Sequence, residues 1–469
     1  MPLKLYNSMS RKVEIFKPLK GKSVRMYSCG PTLYNQPHIG NNRSFVFSDI
    51  LKRWLEFNKF KVKHIVNITD IDDKTIAAAQ KEKIPLKKFT RKYEEIFLND
   101  IKLLNIKPAS KYARATEHIK DMIALIKVLM KKKLAYKAED GIYFSISKFA
   151  QYGKLSGVFV SEDQNEVSQS RISSDEYDKE EVHDFALWKF RKPADGSVSF
   201  KSPWGKGRPG WHSECSAMSM KYLGKTFDIH AGGIDLKFPH HENEIAQSSG
   251  ETGKQFVRYW VHCEHLMVDG KKMSKSLGNI ITLKDITDKN ISPLALRYLF
   301  LTSHYRSQMN FTWESLQYAT ETLDKINDLY DKLQWLIQLK IKDKKHMNFK
   351  KEETELADHL NNDLQTVESI ALVHKIISEF NRELDAGFVG SASAKSMLGF
   401  LDMINTVFAF IEIKPQKISA KDKSLIKKRE KMRALKKYKE ADAIRDQLKQ
   451  KGIDLEDTPY GPRWRMVIK

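Results

Sequence analysis

Cysteine is scarce in this chain: Cys29, Cys215 and Cys263 are the only three among 469 residues. So small and odd a number excludes a disulfide framework and points to a reducing compartment. Long apolar runs are missing too. No segment is long enough to cross a bilayer, and none follows the early lysines in the manner of a secretory leader. Negative charge is in deficit: 59 Asp and Glu stand against 81 Lys and Arg, a formal net charge of +22. Such a field draws polyanions from a distance, although it does not by itself separate RNA from DNA or an acidic membrane. No repeat of solenoid period is present. The expectation is a cytoplasmic, membrane-free chain of several domains.

The few cysteines gain meaning from their surroundings. Gly210-Trp211-His212-Ser213-Glu214-Cys215 offers one soft ligand, and Pro239-His240-His241-Glu242-Asn243-Glu244 offers His240 and Glu244, four apart and on one face if the segment is helical. Cys29, in Tyr27-Ser28-Cys29-Gly30-Pro31-Thr32, is a fourth candidate far upstream. Two thiolates, an imidazole and a carboxylate suit Zn²⁺, which accepts sulfur, nitrogen and oxygen together. Ligands drawn from three separate segments need a large fold to unite them. His241 and Glu242 adjoin the ligand candidates but are expected to point away from the metal. Cys263 is expected to be a core residue.

Two further motifs concern phosphate. Pro37-His38-Ile39-Gly40-Asn41 comes early and Lys272-Met273-Ser274-Lys275-Ser276 much later. Either alone is weak. In this order they resemble the paired nucleotide signatures of class I aminoacyl-tRNA synthetases. Met26–Thr32, Asn67-Ile68-Thr69-Asp70-Ile71-Asp72-Asp73-Lys74, Gly207–His212 and Phe238–Glu244 narrow the resemblance to the cysteinyl-tRNA synthetase family, over essentially the whole chain. The resemblance implies ATP-dependent activation of L-cysteine and its transfer to tRNA(Cys). It makes Cys29, Cys215, His240 and Glu244 the ligands of one Zn²⁺ that binds the substrate thiolate. Trp211 becomes a wall of the cysteine pocket, with Gly30, Thr69 and Asp235 holding the amino acid. His38, Gly40, Asn41, His230, Gly232, Gly233 and Lys275 are assigned to ATP with its Mg²⁺, and His38, Asn41, Lys272 and Lys275 to catalysis. For His230 a strand cap is the alternative. A monomer is expected.

The fold class expected is α/β: a Rossmann-type parallel-sheet catalytic domain with an insertion, then a C-terminal α-helical bundle and a small anticodon-binding tail domain. Ser23–Ser28 reads as a strand, Ser44–Asn58 as an amphipathic helix and Val62–Asn67 as the next strand. Domain boundaries are expected at 1–116 for the first catalytic half, 117–203 for the connective insertion and 204–250 for the second half with the metal ligands. Then come 251–315 for the Lys/Ser loop and stem-contact region, 316–412 for the bundle and 413–469 for the anticodon-binding domain. The polar run Ser161–Glu181 is expected to hold a mobile loop inside the insertion.

From Glu412 to Lys451 fifteen Lys and Arg face six Asp and Glu. A charge run is ordinarily a solvated helix face. The text after it resembles the family's anticodon reader, with Arg433, Asp442, Arg445 and Asp457 at the contacting positions; arginine can fork onto a guanine edge and aspartate can accept from amino groups. Tyr438 stands where relatives often carry Trp. Three other readings use parts of these motifs. A cysteine ligase of thiol-cofactor synthesis needs no basic tail ending in Arg463-Trp464-Arg465. An inactive tRNA-binding regulator needs neither His38 nor Lys272 and Lys275. A methionyl enzyme gives no reason for the Cys/Cys/His/Glu set.

Overall fold

The computed structural model describes residues 1–158, 171–172, 183–274, 277–413, 418–458 and 460–466. Its main sheet starts with β1 (Ser23–Ser28), whose burial deepens toward its C-terminal end. There follow α1 (Ile39–Phe57), β2 (Lys61–Ile68), β3 (Lys111–Arg114), α2 (Trp211–Leu223), β4 (Phe227–Gly233), α3 (His240–Thr252) and β5 (Val257–Cys263). The strand order is β5-β4-β1-β2-β3, and every pairing is parallel. Parallel strands covered by helices are buried on both faces, which explains near-continuous apolar stretches such as Ile65–Val66 and Tyr259–Val261.

The order reverses between β1 and β4. In doubly wound sheets the crevice outside the carboxyl ends at such a reversal is where ligands bind. Cys29 directly follows β1, and Gly233 closes β4. α1 is held from behind by Arg297, which is wholly buried and donates to Asp49 Oδ2 and to the backbone oxygens of Leu104 and Phe408. A guanidinium committed to three acceptors fixes the helix against lateral movement.

The strand–helix–strand reading of the first segment matches the elements formed, with α1 starting at Ile39 rather than Ser44 because His38 caps it. Between β3 and α2 lie a helix, Ile119–Lys131, and a second sheet built from Ala135–Lys137, Gly141–Phe144, Asp184–Phe190 and Gly207–Pro209, with Arg171–Ile172 alongside. Ile142, Phe144, Phe185, Leu187 and Trp188 pack there against Leu125 and Leu129. The strand Gly207–Pro209 extends this sheet beyond residue 203. The run Ser161–Glu181, expected to hold a loop, lies outside the described residues apart from Arg171–Ile172.

By packing, the chain forms two compact units: Met1–Thr320 with Thr354–Leu372 and Thr406–Phe410, and Glu321–Glu353 with Val373–Asn405 and Ile411–Lys469. The expected helical region is present as Trp313–Gln338, Lys350–Asn361, Thr366–Asp385 and Ser391–Phe408. A small strand, Met309–Phe311, pairs with Leu266–Val268 and was not foreseen. The C-terminal segment contributes helices Ala420–Ala434 and Tyr438–Gln450 and a hairpin, Ile453–Thr458 with Gly461–Met466. Its core is Ile426, Ile444, Leu448, Ile453 and Leu455.

Candidate metal centre and adjoining cleft

Three elements deliver ligand atoms to one pocket. Cys29 comes from the loop after β1, Cys215 from the second turn of α2, and His240 and Glu244 from the first turns of α3. The ligand atoms of Cys29, Cys215, His240 and Glu244 all lie within 4.8 Å of one another. A tetrahedral ion with bonds of about 2.0–2.3 Å needs ligand separations of roughly 3.3–3.8 Å, so a small contraction would close the set around zinc. The donors therefore fit the metal. Cys215, His240 and Glu244 are buried, while Cys29 is partly exposed.

The electrostatics are those of ionisable groups crowded together out of water. Burial pushes both thiols up. Cys29, which also faces Cys215 and Glu244, rises well above the ordinary range. For Cys215 the hydrogen bond from Cys29 and the charge of His240 overcome burial and bring it down to about 6. Burial works against a charged His240, but Cys215 and Glu244 outweigh it and raise the imidazole to about 10. Glu244 is held below its usual value, against burial, by His230 and His240. Its two oxygens are engaged by His240 Nε2 at 3.1 Å and His230 Nε2 at 3.0 Å.

A ring of aromatic side chains surrounds these atoms. Trp211 stacks on His240 with centroids 4.2 Å apart, and His212 Nδ1 lies 3.0 Å from His240 Nδ1. His241 corrects an expectation. It does not point away: its Nε2 sits 3.4 Å from Cys29 Sγ, and its Nδ1 is 2.8 Å from His262 Nε2, which is linked in turn to Ser8. The pocket wraps the first turn of α3, so adjacent residues reach it from two sides. Gly232 makes the room, since a side chain there would begin 2.9 Å from His241 Cε1.

His230 is fully buried, with its Nε2 3.0 Å from Glu244 Oε2, and is stacked on Trp260 at 4.6 Å. Strand alternation explains this: His230 and Gly232 share the face of β4 that packs on α3. Both were expected at ATP, with a strand cap as the alternative for His230; the contacts they make are with Glu244 and His241 beside the metal cluster.

The phosphate motif lies in a cleft of about 150 Å³ lined by His38, Gly40, Asn41, Ser44, Asp235, Cys263 and Lys272, among others. His38 is the N-cap of α1. Its Nδ1 accepts from Asn41 N–H at 3.2 Å, and Asn41 Oδ1 accepts from His38 N–H at 3.2 Å. The reciprocal cap makes Nδ1 the acceptor, leaving Nε2–H as the free donor of the neutral ring. Burial lowers the His38 pKa and keeps that ring neutral. Asn41 is thus committed to the cap. Gly233 lies beside Asp235 and Ser44. Cys263 is buried, as expected of a core thiol, and also borders the cleft. Lys275 lies outside the described residues; Lys272 precedes it on the short strand Lys271–Lys272.

Gly30, Thr69 and Glu214 form one group. A side chain at Gly30 would begin 1.9 Å from the Asn67 carbonyl oxygen, so the loop can press on β2 only with glycine there. Thr69 is buried and donates to Glu214 Oε2 at 2.7 Å. Among residues that sequence reasoning missed, His212 could have been found, because it lies three before Cys215 on a helix. Glu214, Asn67 and His262 carried no such signal.

In the C-terminal segment, Asp457 accepts from Arg429 at 2.5 and 2.9 Å and pairs with Arg433 at 2.8 Å. Arg445 donates to the Leu455 carbonyl at 3.1 Å. Asp442 is exposed on the same helix as Arg445. Arg463 is buried against Asp328 and Glu456, so it does not belong to an exposed basic surface.

Residues 15–321 match the family model described as tRNA synthetases class I (C) catalytic domain. The class follows from that match and from the parallel sheet with its switch-point site. A cysteine–tRNA ligase from Brachyspira hyodysenteriae is 44% identical across 98% of both chains. One from Thermococcus onnurineus is 40% identical across the whole of both. A solved methionyl-tRNA synthetase from Mycobacterium tuberculosis, in complex with methionyl-adenylate, superposes with a TM-score of 0.61 at 14% identity, covering 83% of this chain and 90% of that one. The chain belongs to the cysteine–tRNA ligase family of class I tRNA synthetases.

Zinc taken up by these four side chains would displace the protons they hold. At about pH 8 Cys29 and His240 are protonated while Cys215 and Glu244 are not, so loading one ion should release about two protons. Calorimetry in buffers of different ionisation enthalpy measures this number. Release of no proton would contradict the charge assignment.

Proposed function

We propose that this chain activates L-cysteine with ATP and transfers it to the 3′-terminal adenosine of tRNA(Cys), as a cytoplasmic monomer. Family membership supplies the substrate classes: an amino acid, ATP and a tRNA. The observation that carries the choice of cysteine is the convergence of Cys29, Cys215, His240 and Glu244 within 4.8 Å. Zinc held there would supply a Lewis-acid position for the substrate's thiolate. Serine, with a hard hydroxyl of much higher pKa, does not replace a thiolate on such a centre at neutral pH. Trp211, already stacked on His240, walls the thiol pocket, while Gly30, Thr69 and Asp235 hold the amino acid.

The cysteine carboxylate attacks the α-phosphorus of Mg²⁺-bound ATP in line. A carboxyl O–P bond forms as the bond to the β-phosphate oxygen breaks, and pyrophosphate leaves. The carboxylate is already ionised, so no general base is needed. Charge grows on the phosphoryl oxygens, and donors aimed at that charge lower the barrier. His38 Nε2–H is such a donor, oriented by the cap with Asn41, and the α1 N-terminus adds its dipole. Lys272 and Lys275 supply positive charge, and Gly40 lets the nucleotide approach the backbone. The terminal tRNA hydroxyl then attacks the activated carbonyl and AMP leaves. The tail from residue 413 reads the anticodon through Arg433, Asp442, Arg445 and Asp457. Asp457 does so chiefly by aiming Arg433, since both its oxygens are already engaged by arginines.

Cysteine-dependent exchange of pyrophosphate into ATP tests the first step. Wild type should favour cysteine over serine by about 10⁴ or more, as expected where a competitor lacks the group the site demands. Cys215→Ser should lose both metal and exchange; normal exchange by a metal-free variant would refute the zinc reading.

Asp457→Ala tests the tail. It should leave exchange unchanged while reducing the preference for tRNA bearing the cysteine anticodon over an anticodon-swapped tRNA. Equal discrimination by variant and wild type would remove Asp457 from the reading.

A further inference from the structure

Glu214 is fully buried, its Oε1 has no hydrogen-bond partner, and its ionisable neighbours Cys215, Asp70 and Asp72 all carry negative charge when ionised. Stability alone favours a neutral residue at such a position. What the carboxylate holds is one end of a directed chain. The Gly30 N–H donates to Asn67 Oδ1 at 2.8 Å, Asn67 Nδ2 donates to Thr69 Oγ1 at 3.2 Å, and the Thr69 hydroxyl donates to Glu214 Oε2 at 2.7 Å. A backbone N–H can only donate, which fixes the orientation of the Asn67 amide; the amide then fixes where the Thr69 proton goes. Asn67 and Thr69 are themselves 2% and 1% exposed, so water does not compete for these bonds.

The ends of the chain are significant. Gly30 follows Cys29 and Glu214 precedes Cys215. Cys29 lies past the end of β1, where the strand ladder no longer sets its position, and its own N–H reaches Ala231 O only at 3.3 Å. We infer that Glu214 is a positioning residue for the metal centre: acting through Thr69 and Asn67, it ties the Cys29 loop to α2 and so fixes the separation of the two sulfurs. The inference rests on the reading of Cys29 and Cys215 as metal ligands. It also gives Thr69 a second duty besides holding the amino acid.

Zinc affinity, measured by competition with a chromophoric chelator, reads this directly. Thr69→Val keeps the volume and breaks two links, and it should weaken zinc binding by about 10–100-fold, the usual cost of losing an outer-sphere partner. Thr69→Ser keeps the hydroxyl and should stay within about threefold of wild type on the same scale. Glu214→Gln keeps an acceptor and should also stay close to wild type, whereas Glu214→Leu should fall with Thr69→Val and serves in its place if the valine variant does not fold. Wild-type affinity in Thr69→Val or Glu214→Leu would overturn the inference. So would equal losses in Glu214→Gln and Glu214→Leu, because charge and not the chain would then set affinity. Cys215→Ser, run in parallel, separates the two levels. Zinc retained there means the metal reading itself fails, while zinc lost there but kept in Thr69→Val removes only the role of the chain.

Discussion

Two sulfurs, an imidazole and a carboxylate packed within 4.8 Å in a pocket from which solvent is largely excluded form an arrangement that repels itself unless cations fill it. Protons can play that part, since the surroundings favour the protonated forms of Cys29 and His240 and the thiolate of Cys215. The surrounding structure answers to this constraint. α2 and α3 present their ligands from adjacent turns, β4 gives up a side chain at Gly232 to admit His241, and Trp211 and Trp260 close the walls on His240 and His230. A pocket so tightly surrounded is pre-organised, and affinity and selectivity both follow from pre-organisation.

The cleft at the start of α1, proposed for the nucleotide, is built by a different device. Its central histidine is oriented by helix capping, an interaction local to four residues, and the helix that carries it is locked by Arg297 from the opposite side. In the proposed reaction, phosphate chemistry therefore depends on the start of α1, and thiol chemistry on the convergence of three distant segments. Asp235 and Cys263 border the cleft, close in sequence to elements that carry the metal cluster. The two chemistries share strands but not side chains, so a substitution that damages one need not damage the other.

Much of the arrangement was legible in the sequence where spacing alone carries geometry. His240 and Glu244 are one helical turn apart, and Trp211 and Cys215 likewise. What was not legible depends on the face of a strand or on long-range packing. His230 could be placed on β4 from its pattern, but only the register of β4 against β1 and β5 decides which side it faces. His241 was misjudged because helix geometry says that neighbours diverge, not that a pocket can wrap the first turn. Arg463 reads as part of a basic tail, yet Asp328, 135 positions away, buries it. Asp457 reads as a base contact, yet its oxygens are engaged by Arg429, a residue that no motif singled out.

The central claim is that the buried cluster selects cysteine by accepting its sulfur. X-ray absorption at the zinc edge tests it most directly, on loaded protein before and after saturation with cysteine or serine. The account predicts two sulfur neighbours in the free protein, three with cysteine and two with serine. Two sulfurs throughout, in protein that still activates cysteine, would contradict it.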